Sequence, residues 1–132
     1  MKKEELAKIA TDARKNSYSP YSHFKVGAAL LIKGDVIITG SNIENSSYGL
    51  CNCAERSALF AAYSLGYRKD DILMMAVSAD TEGPCSPCGA CRQVMSELLN
   101  KDTPVILTNV KGDLVETNVT ELLPYAFSGD DL

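Results

Sequence analysis

Residues 72–93 read ILMMAVSADTEGPCSPCGACRQ. Ile72 to Ala79 form a short apolar run, bounded by Asp70-Asp71 before it and by Thr81-Glu82-Gly83-Pro84 after it. A run of that length between charge and turn residues reads as a buried strand. A helix then opens at Cys88 or Gly89 and runs to about Asn100, with Val94, Leu98 and Leu99 on its apolar side. Cys88 and Cys91 are three apart, so both sulfurs lie on one side of its first turn. Free backbone N–H groups and the positive end of the helix dipole lower thiol pKa values there.

Working outward, Cys53 to Leu65 is strongly helical, with Ala58, Leu59, Ala61, Ala62 and Leu65 in its pattern and Gly66 as a stop. Phe24 to Ile32 and Val36 to Ile43, parted by Lys33-Gly34-Asp35, read as a β-hairpin. Residues 3–16 carry Leu6, Ile9, Ala10 and Ala13 at helical spacing, and the stretch from Ser17 to Ser22 breaks that helix. Residues 44–52 form a polar loop. Downstream, Val105 to Val110 and Asp113 to Thr117 read as strands joined by Lys111-Gly112, and Val119 to Leu123 as a last helical turn before Pro124. There is no repeat and no linker. The expectation is one α/β domain over residues 1–132, with helices on both faces of one sheet.

That order has a topological consequence. The helix from residue 53 runs one way, the strand at 72–79 returns, and the next helix starts where the strand ends. The helix starts at 53 and 88 therefore converge at one end of the sheet. Three thiolates, Cys53, Cys88 and Cys91, meet there. A zinc site with three protein ligands and an open fourth position is the catalytic kind. Glu55 lies two residues past Cys53, a helical rotation of about 200°, which turns it away from ligating the same ion. A nearby carboxylate that is not a ligand suits proton transfer. Arg56 can offset the surplus negative charge of three thiolates on a divalent ion.

Composition narrows the functions. The chain has 132 residues, 45% hydrophobic and 23% charged, with a net charge of −4. No apolar run approaches the ~20 residues of a membrane span. The opening Met1-Lys2-Lys3-Glu4-Glu5 lacks the apolar core of a secretory leader, so a cytoplasmic location is expected. No block of Lys and Arg offers the basic footprint of a polynucleotide binder. A small-molecule substrate is expected, with neither nucleic acid nor membrane as partner. Five clustered cysteines, at 51, 53, 85, 88 and 91, point to metal or catalysis rather than to a disulfide framework.

Competing readings stand beside these. Cys85 and Cys88 also form a C-x-x-C pair, but the helix must start after Pro87, which favours 88 and 91 and leaves Cys85 as an apolar loop residue. Cys51 as a fourth ligand would make the site structural, a zinc module without chemistry; C-x-C spacing at a helix start is awkward for one ion, and a packed core thiol is the plainer reading. His23 receives no catalytic role. Phe24 reads as core, like most strand aromatics. Glu44 reads as a solvated acid and Arg92 as a surface charge.

Cys53-Ala54-Glu55-Arg56 and Pro87-Cys88-Gly89-Ala90-Cys91-Arg92-Gln93 resemble the two signatures of the small, homotetrameric zinc-dependent cytidine deaminases. Asn42-Ile43-Glu44-Asn45 is similar to that family's nucleoside-binding segment, and the likeness covers nearly the whole chain. The resemblance implies a three-layer α/β/α sandwich around a five-stranded mixed sheet. It implies one Zn2+ per subunit on Cys53, Cys88 and Cys91, with Glu55 passing protons from water to N3 and to the leaving amino group of the base. It assigns the backbone at Ala54 and Cys88 to the pyrimidine, Asn42 and Glu44 to the ribose hydroxyls, and Phe24 to packing on the base. Phe127 and the stretch Ser47-Tyr48-Gly49 are expected to reach a neighbouring subunit's site, so that sites lie at subunit boundaries. The implied reaction is hydrolytic deamination of cytidine and deoxycytidine in pyrimidine salvage. A blasticidin-type deaminase shares the same core motif and is the nearest alternative.

Overall fold

The computed structural model describes residues 1–132. Nine elements run in the order α1 (Lys3–Ala13), β1 (Val26–Ile32), β2 (Val36–Ser41), α2 (Ala54–Ser64), β3 (Ile72–Ala79), α3 (Gly89–Leu98), β4 (Val105–Asn109), β5 (Leu114–Thr117) and α4 (Val119–Leu122). Cys53 and Cys88 fall one residue before their helices, as N-caps with extended backbone. Phe24 and Ile43, expected at strand ends, lie outside the strands.

The strands form one sheet in the order β2-β1-β3-β4-β5. β3 and β4 are parallel and the other neighbours antiparallel, so the sheet is mixed. Strand residues alternate between its faces. Ala28, Leu30, Ile32, Met75, Val77, Val105 and Leu107 point to one side, where they pack with Ala58, Leu59 and Ala62 of α2 and Cys91 and Met95 of α3. Ala29, Leu31, Ala76 and Ile106 point to the other, under Leu6, Ala7 and Ala10 of α1. Three layers result.

Two glycines set how close the helices come. A Cβ on Gly27 would stand 2.0 Å from the Ala10 carbonyl oxygen, so α1 rests directly on the backbone of β1. A Cβ on Gly40 would stand 2.6 Å from the Ala54 carbonyl oxygen and 2.5 Å from the Ala58 nitrogen. Only glycine lets the first turn of α2 lie against β2 at that distance.

Register carries the two helix starts to one place. Gly27 of β1 pairs with Ser41 at the end of β2 on one side and with Ser78, near the end of β3, on the other. β2 and β3 both run antiparallel to β1, hence parallel to each other, and each is followed by a helix. Two strand spacings of about 4.8 Å separate their ends. The segments leading into α2 and α3 therefore leave the sheet on the same side of the molecule.

Candidate metal centre

The sulfurs of Cys53, Cys88 and Cys91 lie within 4.8 Å of one another. Cys53 Sγ and Cys88 Sγ are 3.9 Å apart, and Cys88 Sγ and Cys91 Sγ 3.4 Å. Thiolates at about 2.3 Å from a tetrahedral ion stand roughly 3.8 Å apart, so the trio matches the spacing zinc demands. No further Cys, His, Asp or Glu joins the group. The donor set is soft, and it leaves a fourth position to something other than the chain.

The electrostatics fit a cation. Cys53 is pushed down to about 5, first because the Cys91 thiol hydrogen-bonds to it and then because Arg56 does. Cys91 is pushed upward by the same contact with Cys53 and by burial. A divalent ion among the sulfurs would supply positive charge that favours their thiolate form. Cys88 Sγ accepts from the Cys91 backbone N–H at 3.4 Å, which turns a free donor of the α3 start toward a sulfur. Arg56 donates from Nη2 to Cys53 Sγ at 3.2 Å, and its contacts with the sulfurs push its pKa upward, so it stays charged. The contact sets one positive charge beside the sulfur trio. Its Nε is buried and finds no partner.

Glu55, in the first turn of α2, is only 4% exposed. Burial pushes its carboxyl upward, and the neighbouring Cys53 adds to that. A carboxyl raised in this way holds and releases a proton nearer neutrality than a solvated one. Ala54 is fully buried at the same turn.

The remaining cysteines part company. Cys85 is buried, with its thiol pushed up to about 12 by burial, the apolar loop residue expected. Cys51 is not a core thiol. It is half-buried in the loop before α2, where it accepts from Asn45 N–H at 3.3 Å. That loop is held by backbone pairing of Ile43 with Asn52, which turns Cys51 away from the core.

The other candidate residues lie on loops outside the strands and α-helices. Glu44 Oε1 accepts from the backbone N–H of Tyr21 at 3.0 Å and of Ser22 at 3.2 Å, and Oε2 accepts from Ser22 Oγ. Ser22 lowers the Glu44 pKa, so the acid is held rather than loosely solvated. Asn42 Oδ1 accepts from Val26 N–H at 2.9 Å and from Ser17 Oγ, while Nδ2 donates to the Phe24 carbonyl at 2.7 Å. Phe24 is 44% exposed and is not core, because it precedes the strand rather than sitting in it. Tyr48 and Phe127 are 71% and 58% exposed, and Tyr48 meets Tyr21 edge to face at 6.1 Å. All three rings stay substantially open to solvent.

Four structural contributors had no clear signal in the sequence. Ser22 is one. Asn109, fully buried, donates to the carbonyls of Thr81 and Glu82 and pins the loop between β3 and α3. Arg92 is no free surface charge, since it makes three hydrogen bonds. Gly40 lets α2 sit where it does. A polar residue at a strand end and a glycine inside a strand were the only hints of Asn109 and Gly40.

Residues 1–107 match the protein family described as the cytidine and deoxycytidylate deaminase zinc-binding region. The chain is 57% identical over 132 residues to a cytidine deaminase of Halalkalibacterium halodurans, covering 100% of this chain and 98% of the relative. A crystal structure of cytidine deaminase from Burkholderia pseudomallei superposes with a TM-score of 0.93 at 51% identity, over 96% of this chain and 100% of that one. The cytidine deaminase of Mycobacterium tuberculosis superposes with a TM-score of 0.80 at 35% identity, over 97% and 98% of the two chains.

Proposed function

This chain belongs to the cytidine and deoxycytidylate deaminase zinc-binding family, and from that premise we propose that it hydrolyses the 4-amino group of cytidine and deoxycytidine, forming uridine or deoxyuridine and ammonia. The observation that carries the reading is three sulfurs at zinc spacing beside a buried carboxyl that is not among them. Cys53, Cys88 and Cys91 would hold the zinc, which when bound supplies a Lewis acid that lets water ionise near neutral pH. Glu55 takes one proton from the attacking water and passes it to N3, then moves the second, from the new C4 hydroxyl, to the amino group, which departs as ammonia. Arg56 keeps the sulfur trio from overwhelming the ion's charge. The backbone at Ala54 and Cys88 orients the pyrimidine, and Phe24 packs on its face.

Counting hydrogen bonds sharpens the sugar reading. A carboxylate has about four acceptor places, and three on Glu44 are taken by Tyr21 and Ser22. Both places on Asn42 Oδ1 are filled, and one of its two N–H donors is spent on Phe24. One acceptor and one donor remain, enough for a single hydroxyl that donates to Glu44 and accepts from Asn42. We assign that place to the 3′-hydroxyl, which cytidine and deoxycytidine share, so that both are expected as substrates.

The open rings of Phe24, Tyr48 and Phe127 support a site completed by a second copy of the chain, within a homotetramer. Phe127 and the stretch Ser47-Tyr48-Gly49 would then be supplied across a subunit boundary. No helix is long and apolar enough to cross a membrane. A cytoplasmic enzyme of pyrimidine salvage accords with a nucleoside substrate.

The test is direct. The purified protein, with its metal content measured, is mixed with cytidine, 2′-deoxycytidine, 3′-deoxycytidine, blasticidin S or a cytosine-containing oligonucleotide. Loss of the amine is followed in the ultraviolet. Cytidine and 2′-deoxycytidine should turn over at similar kcat/KM, and 3′-deoxycytidine should lose on the order of 10–100-fold, the worth of a hydrogen bond to a charged group. A folded protein without metal, or one that leaves cytidine unchanged, overturns the reading.

A further inference from the structure

One member of the sulfur trio is not held by packing. Cys91 is buried and Cys53 half-buried, but Cys88 is exposed. Its sulfur position therefore depends on the backbone that leads into it. Arg92, one residue beyond the ligand Cys91, grips that backbone. Nε donates to the Pro87 carbonyl at 2.9 Å, and Nη2 donates to Ser86 Oγ at 2.8 Å. Nη1 reaches to the far side and donates to the Leu122 carbonyl, at the end of α4, at 2.9 Å. The Leu122 side chain is buried in the main core, so that carbonyl is a fixed post. Next to it on α3, Gln93 Nε2 donates to the Phe127 carbonyl at 3.0 Å. The first turn of α3 thus carries metal ligands on one side and holds the C-terminal segment on the other.

We propose that Arg92 is a positioning residue of the metal centre, a fork that fixes Cys88 by tying Ser86 and Pro87 to the end of α4. The inference rests on the reading of the three cysteines as zinc ligands. Its action is geometric. Arg92 spends its donors on two carbonyls and a hydroxyl, whereas Arg56 donates to a sulfur. A planar guanidinium spans three acceptors in a set geometry, and a lysine ammonium at the same place keeps the charge but cannot span them. Coupling between two sites is reciprocal in free energy. If the tie to α4 tightens zinc binding, bound zinc must steady the tie.

The experiment uses zinc-loaded protein with Arg92→Lys, Arg92→Gln and Ser86→Ala. Zinc transfer to a coloured chelator gives relative affinity, and the visible spectrum of the cobalt-substituted protein reports ligand geometry. Groups that orient metal ligands typically contribute about 10–100-fold in metal affinity, and that loss is expected for Arg92→Lys and Arg92→Gln alike, with altered cobalt bands. Ser86→Ala removes one acceptor and leaves the two carbonyls, so a smaller loss of about two- to fivefold is expected, because the bond is solvent-exposed and water can replace the lost hydroxyl. Amide exchange of residues 119–132 should quicken on zinc removal in the parent and depend less on zinc in Arg92→Lys. A parent protein that holds no zinc sinks the zinc reading and this proposal with it. A parent that holds one zinc, beside an Arg92→Lys that holds it as tightly with an unchanged cobalt spectrum, overturns the proposal alone. Should the Arg92 variants fail to fold, unchanged zinc transfer in Ser86→Ala overturns it.

Discussion

Cys53, Glu55 and Cys91 sit at helix starts packed on the core and Cys88 at one held by hydrogen bonds, whereas Asn42, Glu44, Phe24 and Tyr48 sit on loops whose order comes from hydrogen bonds among themselves. Glu55 and Cys91 are buried; Phe24 and Tyr48 stand open. The first group needs tight geometry because ligand spacing tolerates only tenths of an ångström. The second must let a nucleoside in and out, and in this chain alone it has no roof. The sulfur trio and the buried carboxyl come together within one chain, while the rings of the loops stay open to solvent.

The comparison can be broken at either end. The largest effect is expected at the helix starts. Glu55→Gln keeps the shape of the side chain but cannot shuttle protons, so kcat should fall on the order of 10²–10⁴-fold while zinc stoichiometry stays at the parent level. A variant with the parent's kcat would remove Glu55 from the chemistry. Next comes Arg56→Gln, which should leave zinc bound and slow turnover about 10–100-fold, the usual worth of a group that acts through metal ligands. Undiminished turnover there would mean that the helix dipoles alone offset the thiolate charge. The smallest effect belongs to the loops. Phe24→Ala should raise KM about two- to tenfold, the worth of one aromatic stacking contact, and leave kcat nearly alone. If kcat fell and KM did not, the open ring would be part of the catalytic geometry and the contrast between the two ends would dissolve.

The two ends also differ in how well the sequence announces them. Helical periodicity and apolar runs between turn signals placed all four α-helices and all five strands, because a helix buries one face on the sheet while the central strands are covered on both faces, and both patterns are local. Cys53, Cys88, Cys91 and Glu55 were readable for a related reason. Their spacing within each helix start is fixed by the helical repeat, and strand order then brings the starts together. Cys51 was misread as core, and the core alternative weighed for Phe24 fails, since composition alone does not tell a strand end from the loop before it. Glu44 read as a free acid because its partners, Tyr21 and Ser22, lie in another loop more than twenty residues away. Arg92 read as surface charge for the same reason: one of its acceptors, Leu122, is thirty residues downstream.

The sequence by itself determined the layers, the sheet's elements and which three sulfurs and which carboxyl come together at the two helix starts. Those follow from short-range repeats and from the burial of apolar faces. Only the tertiary structure decided how the donors and acceptors of Asn42, Glu44, Arg92 and Asn109 are spent. Hydrogen bonds are directional and short, so their partners depend on where the folded backbone puts distant atoms, and no spacing along the chain encodes that.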